Sequence, residues 1–358
     1  MSNHANELHE MGQSLWVDNI TRSMLAEGRL ARYIEEMSVT GLTSNPTIFD
    51  KAISGSDDYD EQIRASSAQT EEELFFELAI TDLRDAADLF KQVHERTARV
   101  DGWVSLEVSP TIADDAKATI QEAAQLHAQA DRENIYIKIP GTIAGAEAIE
   151  ESIHAGIPIN VTLLFSTDQY VAAAEAYMRG IERRIEDGLD PVVPSVASLF
   201  ISRWDVAIAD EAPPELKNKL GIAVGKRTYR AYREVLDSQR WLRLANEGAR
   251  PQRLLWASTG TKDPEASDTL YIEGFASPFT VNTMPDKTLE AFADHGKIGE
   301  LLPADGGDAE EMLRRFNEAG IDTDALAARL QKEGAEAFVK SWQDLLGSIR
   351  SERERLAA

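Results

Sequence analysis

A lysine near the end of an apolar strand is the residue in this chain best suited to covalent chemistry. Lys138 lies in NIYIKIPGT, where Ile135, Ile137 and Ile139 alternate with Tyr136 and Lys138 until Pro140-Gly141 stops the strand. Apolar walls disfavour an ammonium ion, and a neutral amine attacks a carbonyl to form a Schiff base. The protonated imine withdraws electrons, so an adjacent C–C bond can break or form. Carboxylates are then needed to move protons among hydroxyl, carbinolamine and water. The plainer use of the same residue is an edge-strand lysine pointing to solvent.

The alternation recurs in other strands. In SLWVDN, Asp18 shares a face with Trp16, opposite Leu15 and Val17. In WVSLEVSP, Ser105 and Glu107 oppose Val104, Leu106 and Val108. In IPINVTLLFS, Asn160 and Thr162 oppose Ile159, Val161 and Leu163, and in RLLWAS, Trp256 shares a face with Ser258. With the aliphatic faces turned to covering helices, Asp18, Glu107, Lys138, Asn160, Thr162 and Ser258 converge inside the sheet near the C-terminal strand ends. Buried charges require partners, so a purely structural polar network is the competing reading. Asp18 could also cap the helix that follows it.

The elements needed to hold such a cluster are visible along the chain. Strands are expected at 14–19, within 38–49 where Asn45-Pro46 marks the stop, and at 103–110, 134–139, 157–166, 191–200, 253–258 and, in TLYIEGF, 269–275. Helical periodicity falls between them, at about 20–36, 70–98, 112–131, 142–155, 167–187 and 203–247, the last interrupted by Pro213-Pro214. Thr70 and Glu73 form a capping-box pattern. Residues 50–69 read as a loop or short helix, and from Pro285 the chain is helical apart from a turn at 303–308. Eight strand–helix alternations predict an α/β protein, a (β/α)8 TIM barrel with additional N- and C-terminal helices. It is expected to be a single domain over 1–358, with 300–358 a helical extension packed on the barrel. An open doubly wound sheet is the runner-up; it would want a glycine-rich turn after the first strand, and DNITRS has none.

Composition removes several classes of function. The net charge of −25, from 37 basic and 62 acidic residues, opposes nucleic-acid binding and demands a locally basic pocket for any anionic substrate. The absence of cysteine excludes thiolate catalysis and disulfides. The six histidines show no ligand spacing, so no metal and no cofactor is expected. No apolar run is long enough to span a bilayer, and MSNHANELHEMG carries no apolar signal region, which makes a cytoplasmic enzyme without membrane contact the expectation. GIAVGKR is one residue short between its glycines for a phosphate-binding P-loop.

The segments SLWVDNITRSML, TGLTSNPTIF, VSLEV, NIYIKIPGT, INVTLLFS, SLFISR, WASTGTKDP and VNTMPDKTLEAFADHG, in this order and spacing, resemble transaldolase over nearly the whole chain. The resemblance implies a Schiff-base barrel that transfers a dihydroxyacetone unit between sugar phosphates, typically from sedoheptulose 7-phosphate to glyceraldehyde 3-phosphate. It implies Lys138 as nucleophile and Asp18 as proton carrier for the hydroxyl at the breaking bond. Glu107 with a water, helped by Thr162, would serve imine formation and hydrolysis. Thr43, Asn45 and Asn160 would position the dihydroxyacetone unit, and Ser198, Phe200 and Arg203 would close the site and bind phosphate. One departure concerns the better-known branch, which has an arginine two residues after the serine matching Ser258; here Gly260 stands there, and Lys262 is expected to supply the second phosphate charge as a point charge. Related fructose-6-phosphate aldolases, which release free dihydroxyacetone, lack the strand-three glutamate. A sugar-phosphate-binding barrel with a structural lysine is the non-enzymatic alternative. Sugar phosphates are the implied partners, with the chain a monomer or homodimer.

Overall fold

The computed structural model describes residues 3–357; Met1, Ser2 and Ala358, which belong to the expected 1–358 unit, lie outside the described residues. Eight parallel strands close a barrel in sequence order: β1 (Ser14–Asp18), β2 (Val39–Thr43), β3 (Trp103–Glu107), β4 (Ile135–Pro140), β5 (Ile159–Leu164), β6 (Ser195–Phe200), β7 (Arg253–Ala257) and β8 (Val281–Met284). Parallel neighbours need crossovers, and helices supply them. These include Glu71–Arg96, Ala116–Ala130, Ile143–His154, Thr167–Glu186 and Leu220–Asp237. The capping box at Thr70 and Glu73 is formed in both directions.

Strand eight corrects the sequence reading. The stretch 269–275 contains the helix Leu270–Gly274, and the barrel closes instead through Val281–Met284, which pairs with β7 and β1. TLYIEGF has the aromatic and β-branched composition of a strand. It packs as a helical turn because Tyr271 is drawn to Asp205, donating a hydrogen bond of 2.8 Å, while Phe275 stacks on Trp256 at 4.5 Å. The polar stretch 50–69 is also more ordered than its composition suggests, carrying the end of the helix Pro46–Ser54 and the helix Asp60–Ala65.

The two faces of the strands separate two kinds of packing. Leu15, Val17, Val104, Leu106, Ile135, Ile137, Ile139, Ile159 and Val161 face outward into the main core under the helices. Trp16, Trp103, Tyr136, Val196, Leu255 and Val281 fill the barrel interior, with Trp103 and Tyr136 stacked at 4.2 Å. At the N-terminal end, Arg253 pairs with Asp101 at 2.9 Å and donates to Ser14 Oγ at 2.7 Å. The interior is thus plugged from below, and open space is left only toward the C-terminal strand ends.

Two residues leave the alternation through left-handed backbone. Leu163 has φ 59° and joins Phe165, Trp204 and Leu330 in a second apolar cluster, not the outer stripe it was expected to share with Ile159 and Val161. Ser258 has φ 56°. Trp256 packs outward on Tyr229 and Phe275, so the backbone turn, not shared parity, brings Ser258 to the inside. Non-glycine residues pay for this conformation, and such strain gathers at functional sites.

The helix Thr323–Ala357 crosses the C-terminal mouth of the barrel. It packs against Pro46–Ser54, Asp60–Ala65 and Glu71–Arg96, with Trp342 edge-on to Phe75 at 4.9 Å. Among the described residues, no helix is long and apolar enough to cross a membrane.

Candidate active site

Strand register sets the site. Glu107 pairs in register with Lys138, Lys138 with Asn160, and Asp18 with Thr43, so these side chains leave the barrel wall at one level. Lys138 is 5 % exposed and Glu107 7 %. The Lys138 ammonium donates to Glu107 Oε2 at 3.3 Å and to the Ser44 carbonyl at 3.0 Å. Ser44 is itself held by donating its hydroxyl to the Ser105 carbonyl at 2.8 Å. A mobile lysine is thereby given a fixed direction by strand β3 and the loop after β2.

Asp18 is tied to the same loop. Thr43 Oγ1 lies 2.7 Å from both Asp18 Oδ1 and Thr283 Oγ1. The helix after β1, Arg22–Ala26, is capped by Thr21, so the capping role considered for Asp18 is taken by another residue. Burial pushes the Asp18 carboxyl up; the Thr43 hydroxyl and the charges of Lys138 and Lys262 oppose this, and Asp286 reinforces it. Burial also raises Glu107, against the pull of Lys138. Burial thus favours the neutral form of each acid while the neighbouring lysine opposes it, which suits both carboxyls to exchanging protons with a bound substrate.

Asn160 lies beneath the lysine. It accepts from Ser198 Oγ at 2.7 Å and donates to Ser105 Oγ at 3.1 Å. Thr162, fully buried one step further along β5, has a hydroxyl with no hydrogen-bond partner. An orphaned buried hydroxyl in one cavity wall with Lys138 and Asp18 is a site for a reacting water or a substrate hydroxyl. Asn45 uses its side-chain oxygen to cap the helix Pro46–Ser54, accepting from Ile48 N–H at 3.1 Å, which leaves its amide NH2 for a ligand. Ser258 Oγ lies 2.9 Å from Ser202 Oγ, joining the ends of β7 and β6.

A cavity of about 690 Å³ opens above this cluster. Every residue selected from the sequence lines it except Glu107 and Asn160, which form the layer beneath: Asp18, Thr43, Asn45, Lys138, Thr162, Ser198, Phe200, Arg203, Ser258 and Lys262 are all in its wall. Its volume suits a small polyhydroxylated molecule with a charged end.

Sequence reasoning missed part of the wall. Lys51 comes from the last turn of Pro46–Ser54, Thr283 from β8, and Ala337, Phe338 and Ser341 from the C-terminal helix. The misplaced eighth strand hid Thr283. For Phe338 and Ser341 no local signal existed, because only the path of a helix distant in sequence brings them here. Lys51, Arg203 and Lys262 are exposed, and none makes an ion pair among the described residues. In a chain of charge −25, three unpaired cations around one cavity form the locally basic pocket that an anionic substrate requires.

The chemistry available is imine formation on Lys138, proton transfer through Asp18 and Glu107, and anion binding at the mouth. The family model for transaldolase/fructose-6-phosphate aldolase matches residues 15–349. The chain is 42% identical to a transaldolase of Arthrobacter sp., over 98% of this chain and 97% of the relative. It is 42% identical to a transaldolase of Saccharopolyspora erythraea, over 97% of each, and 43% identical to transaldolase 2 of Streptomyces avermitilis, over 100% of this chain and 99% of the relative. With its barrel, its buried strand-four lysine and full-length identity of this order, the chain belongs to the transaldolase/fructose-6-phosphate aldolase family.

Proposed function

We propose that this enzyme is a transaldolase that moves a dihydroxyacetone unit from sedoheptulose 7-phosphate to glyceraldehyde 3-phosphate, giving erythrose 4-phosphate and fructose 6-phosphate in the non-oxidative pentose phosphate pathway. The observation that carries the reading is Lys138, buried at the end of β4 between the Glu107 carboxyl and the Ser44 carbonyl, in a cavity whose mouth holds three unpaired cations.

Neutral Lys138 adds to the ketose carbonyl carbon. Glu107, through a water held near the free Thr162 hydroxyl, passes the protons that let the carbinolamine lose water. Asp18 takes the proton from the hydroxyl on the far side of the C–C bond, and that bond breaks into the imine. The aldose leaves, and the enamine carbon attacks the acceptor aldehyde. Asp18 returns its proton to the new hydroxyl, and water releases the ketose product. Thr43, Asn45, Asn160, Ser198 and Ser258 offer donors and acceptors for the dihydroxyacetone hydroxyls. Phe200 supplies an apolar wall, and Arg203 and Lys262 hold the phosphate.

Release of free dihydroxyacetone, as by the aldolases of the family, is not favoured, because the strand-three glutamate that such aldolases lack is present and bonded to the lysine. The reading takes the enzyme as a single unit in which the C-terminal helix supports the barrel. In this reading it acts in the cytoplasm, as a monomer or homodimer.

The test is borohydride reduction with fructose 6-phosphate, followed by peptide mass. A stable adduct on Lys138, and sedoheptulose 7-phosphate once erythrose 4-phosphate is added, are expected. A folded protein that binds the sugar phosphate but forms no adduct would sink the reading.

A further inference from the structure

We propose that Phe338, on the C-terminal helix Thr323–Ala357, is a specificity-determining residue: it roofs the imine on Lys138, keeps water from it, and so biases the bound dihydroxyacetone unit toward transfer and away from release. The inference rests on the Schiff-base reading above.

The Phe338 ring centre lies 6.0 Å from Lys138 Nζ, and the ring lines the cavity while packing against the cluster that holds Phe165 and Leu163. The amine therefore has polar partners below, in Glu107 and the Ser44 carbonyl, and an aromatic face on another side. An aromatic face attracts a cation and excludes water.

The position of Phe338 is fixed by one stripe of its helix. Gln331, Gly334, Phe338, Ser341, Leu345 and Ser348 follow spacings of three and four and lie on one face. Gln331 Nε2 donates to the Gly141 carbonyl at 3.0 Å and to the Leu163 carbonyl at 3.1 Å, the residues just after Pro140 and Thr162. A side chain at Gly334 would meet Leu163 at 3.3 Å and Phe165 at 3.4 Å, so glycine lets the helix sit close. On the far side, Ser341 Oγ receives a hydrogen bond from Thr47 at 2.9 Å, and Ser348 Oγ donates to Asp50 Oδ1 at 2.6 Å. The stripe spans from the loop after β4 and the end of β5 to the helix after β2, with the ring between its anchors.

After C–C cleavage the unit on Lys138 is an enamine with two fates. Its carbon attacks an acceptor aldehyde, whose oxygen takes a proton from Asp18. Alternatively its carbon takes a proton, water adds to the imine carbon, the C–N bond breaks, and free dihydroxyacetone leaves with the amine restored. Only the second fate consumes a proton at that carbon and a water before any acceptor arrives. A ring that keeps bulk water out slows this fate at the stage where the two compete, whereas the water that frees the ketose product acts after the new C–C bond has formed.

The experiment compares Phe338→Leu with Phe338→Asn. Both shorten the side chain similarly, but only asparagine admits water to the imine. With fructose 6-phosphate as donor and erythrose 4-phosphate as acceptor, free dihydroxyacetone is measured against sedoheptulose 7-phosphate. The asparagine variant should raise the release-to-transfer ratio by about threefold to tenfold, with the leucine variant near the unchanged chain. Equal ratios in the two variants, whatever their overall rates, would overturn the role, since a merely structural ring would move both alike. The half-buried position leaves both variants folded, which thermal melts check. Borohydride trapping of the unchanged chain separates the two levels: an adduct on Lys138 with equal ratios rejects Phe338 alone, and no adduct rejects the Schiff-base reading and this inference together.

Discussion

Glu107 and Lys138 are register partners on adjacent parallel strands, and their charged ends meet at 3.3 Å inside a barrel that shields both. The pairing answers the cost of burying either charge alone. It also leaves the lysine one proton transfer from the acid that would serve its chemistry. Lys138→Ala should remove the borohydride adduct and lower transfer at least about a thousandfold. The protein should still fold, because Glu107, already raised by burial, can take up a proton once its partner is gone. Circular dichroism and trapping on the same sample check both halves; an adduct elsewhere in the chain, with transfer retained, would reassign the nucleophile.

Thr162 offers a cleaner separation of stability from catalysis. Its hydroxyl is buried and unpartnered. Thr162→Val keeps the shape and removes a group with no protein hydrogen-bond partner among the described residues, so the melting temperature should hold or rise. Imine formation should slow about 10- to 100-fold if the hydroxyl holds the reacting water. Single-turnover trapping measures that step directly. Unchanged trapping would place the water elsewhere.

The cations at the mouth should differ from the floor in what they recognise. Lys262→Ala, Arg203→Ala and Lys51→Ala each remove an unpaired positive charge from the cavity wall. For a phosphorylated donor, kcat/KM should drop roughly tenfold per charge that touches phosphate, with less loss for an unphosphorylated donor. Added salt should raise KM in the unchanged chain and do so less in the variants. A residue whose removal affects both donors equally does not contact the phosphate.

A fourth expectation concerns pH and lies behind β3. Glu122, on the helix Ala116–Ala130, accepts the Ser109 backbone N–H at 2.5 Å, two residues beyond Glu107. Burial pushes its carboxyl up to about 7, against the Ser109 hydrogen bond, with a further push from Glu72. A carboxyl raised in the folded state is ionised first in the unfolded chain. Stability from this group is therefore full below about pH 4.5, falls as pH rises toward 7, and is level above that. The loss is at most about 3 kcal/mol. Urea unfolding at pH 5 and pH 8 should show a smaller difference for Glu122→Gln than for the unchanged chain. Identical differences would remove Glu122 from the pH dependence.

Much of the site was legible because parity in a strand is a local property. Asp18, Glu107, Lys138, Asn160 and Thr162 could each be placed on the inner face from their immediate neighbours, and closing the barrel then brought them together without further information. Ser258 reached the cavity for a different reason, a left-handed backbone that alternation does not encode. The eighth strand was misplaced because short segments are decided by tertiary partners: Tyr271 and Phe275 have strand-like chemistry but answer to Asp205 and Trp256. Lys51 could not be told from any solvated lysine until the helix Pro46–Ser54 was in place, and Phe338 lies two hundred positions from the lysine it covers.

That separation has a consequence for the order in which the protein is made. The last barrel strand ends at Met284, so a growing chain holds all eight strands, and every side chain assigned to the reaction, before the residues that finish the cavity wall exist. Ala337, Phe338 and Ser341 are added only within the final helix. The strands and the nucleophile thus precede the remaining cavity wall along the chain, and Ala337, Phe338 and Ser341 complete that wall from a helix made after the barrel residues. A single proteolytic cut between β8 and this helix would leave all eight strands on one piece and put Phe338, with its contact to Lys138, on the other.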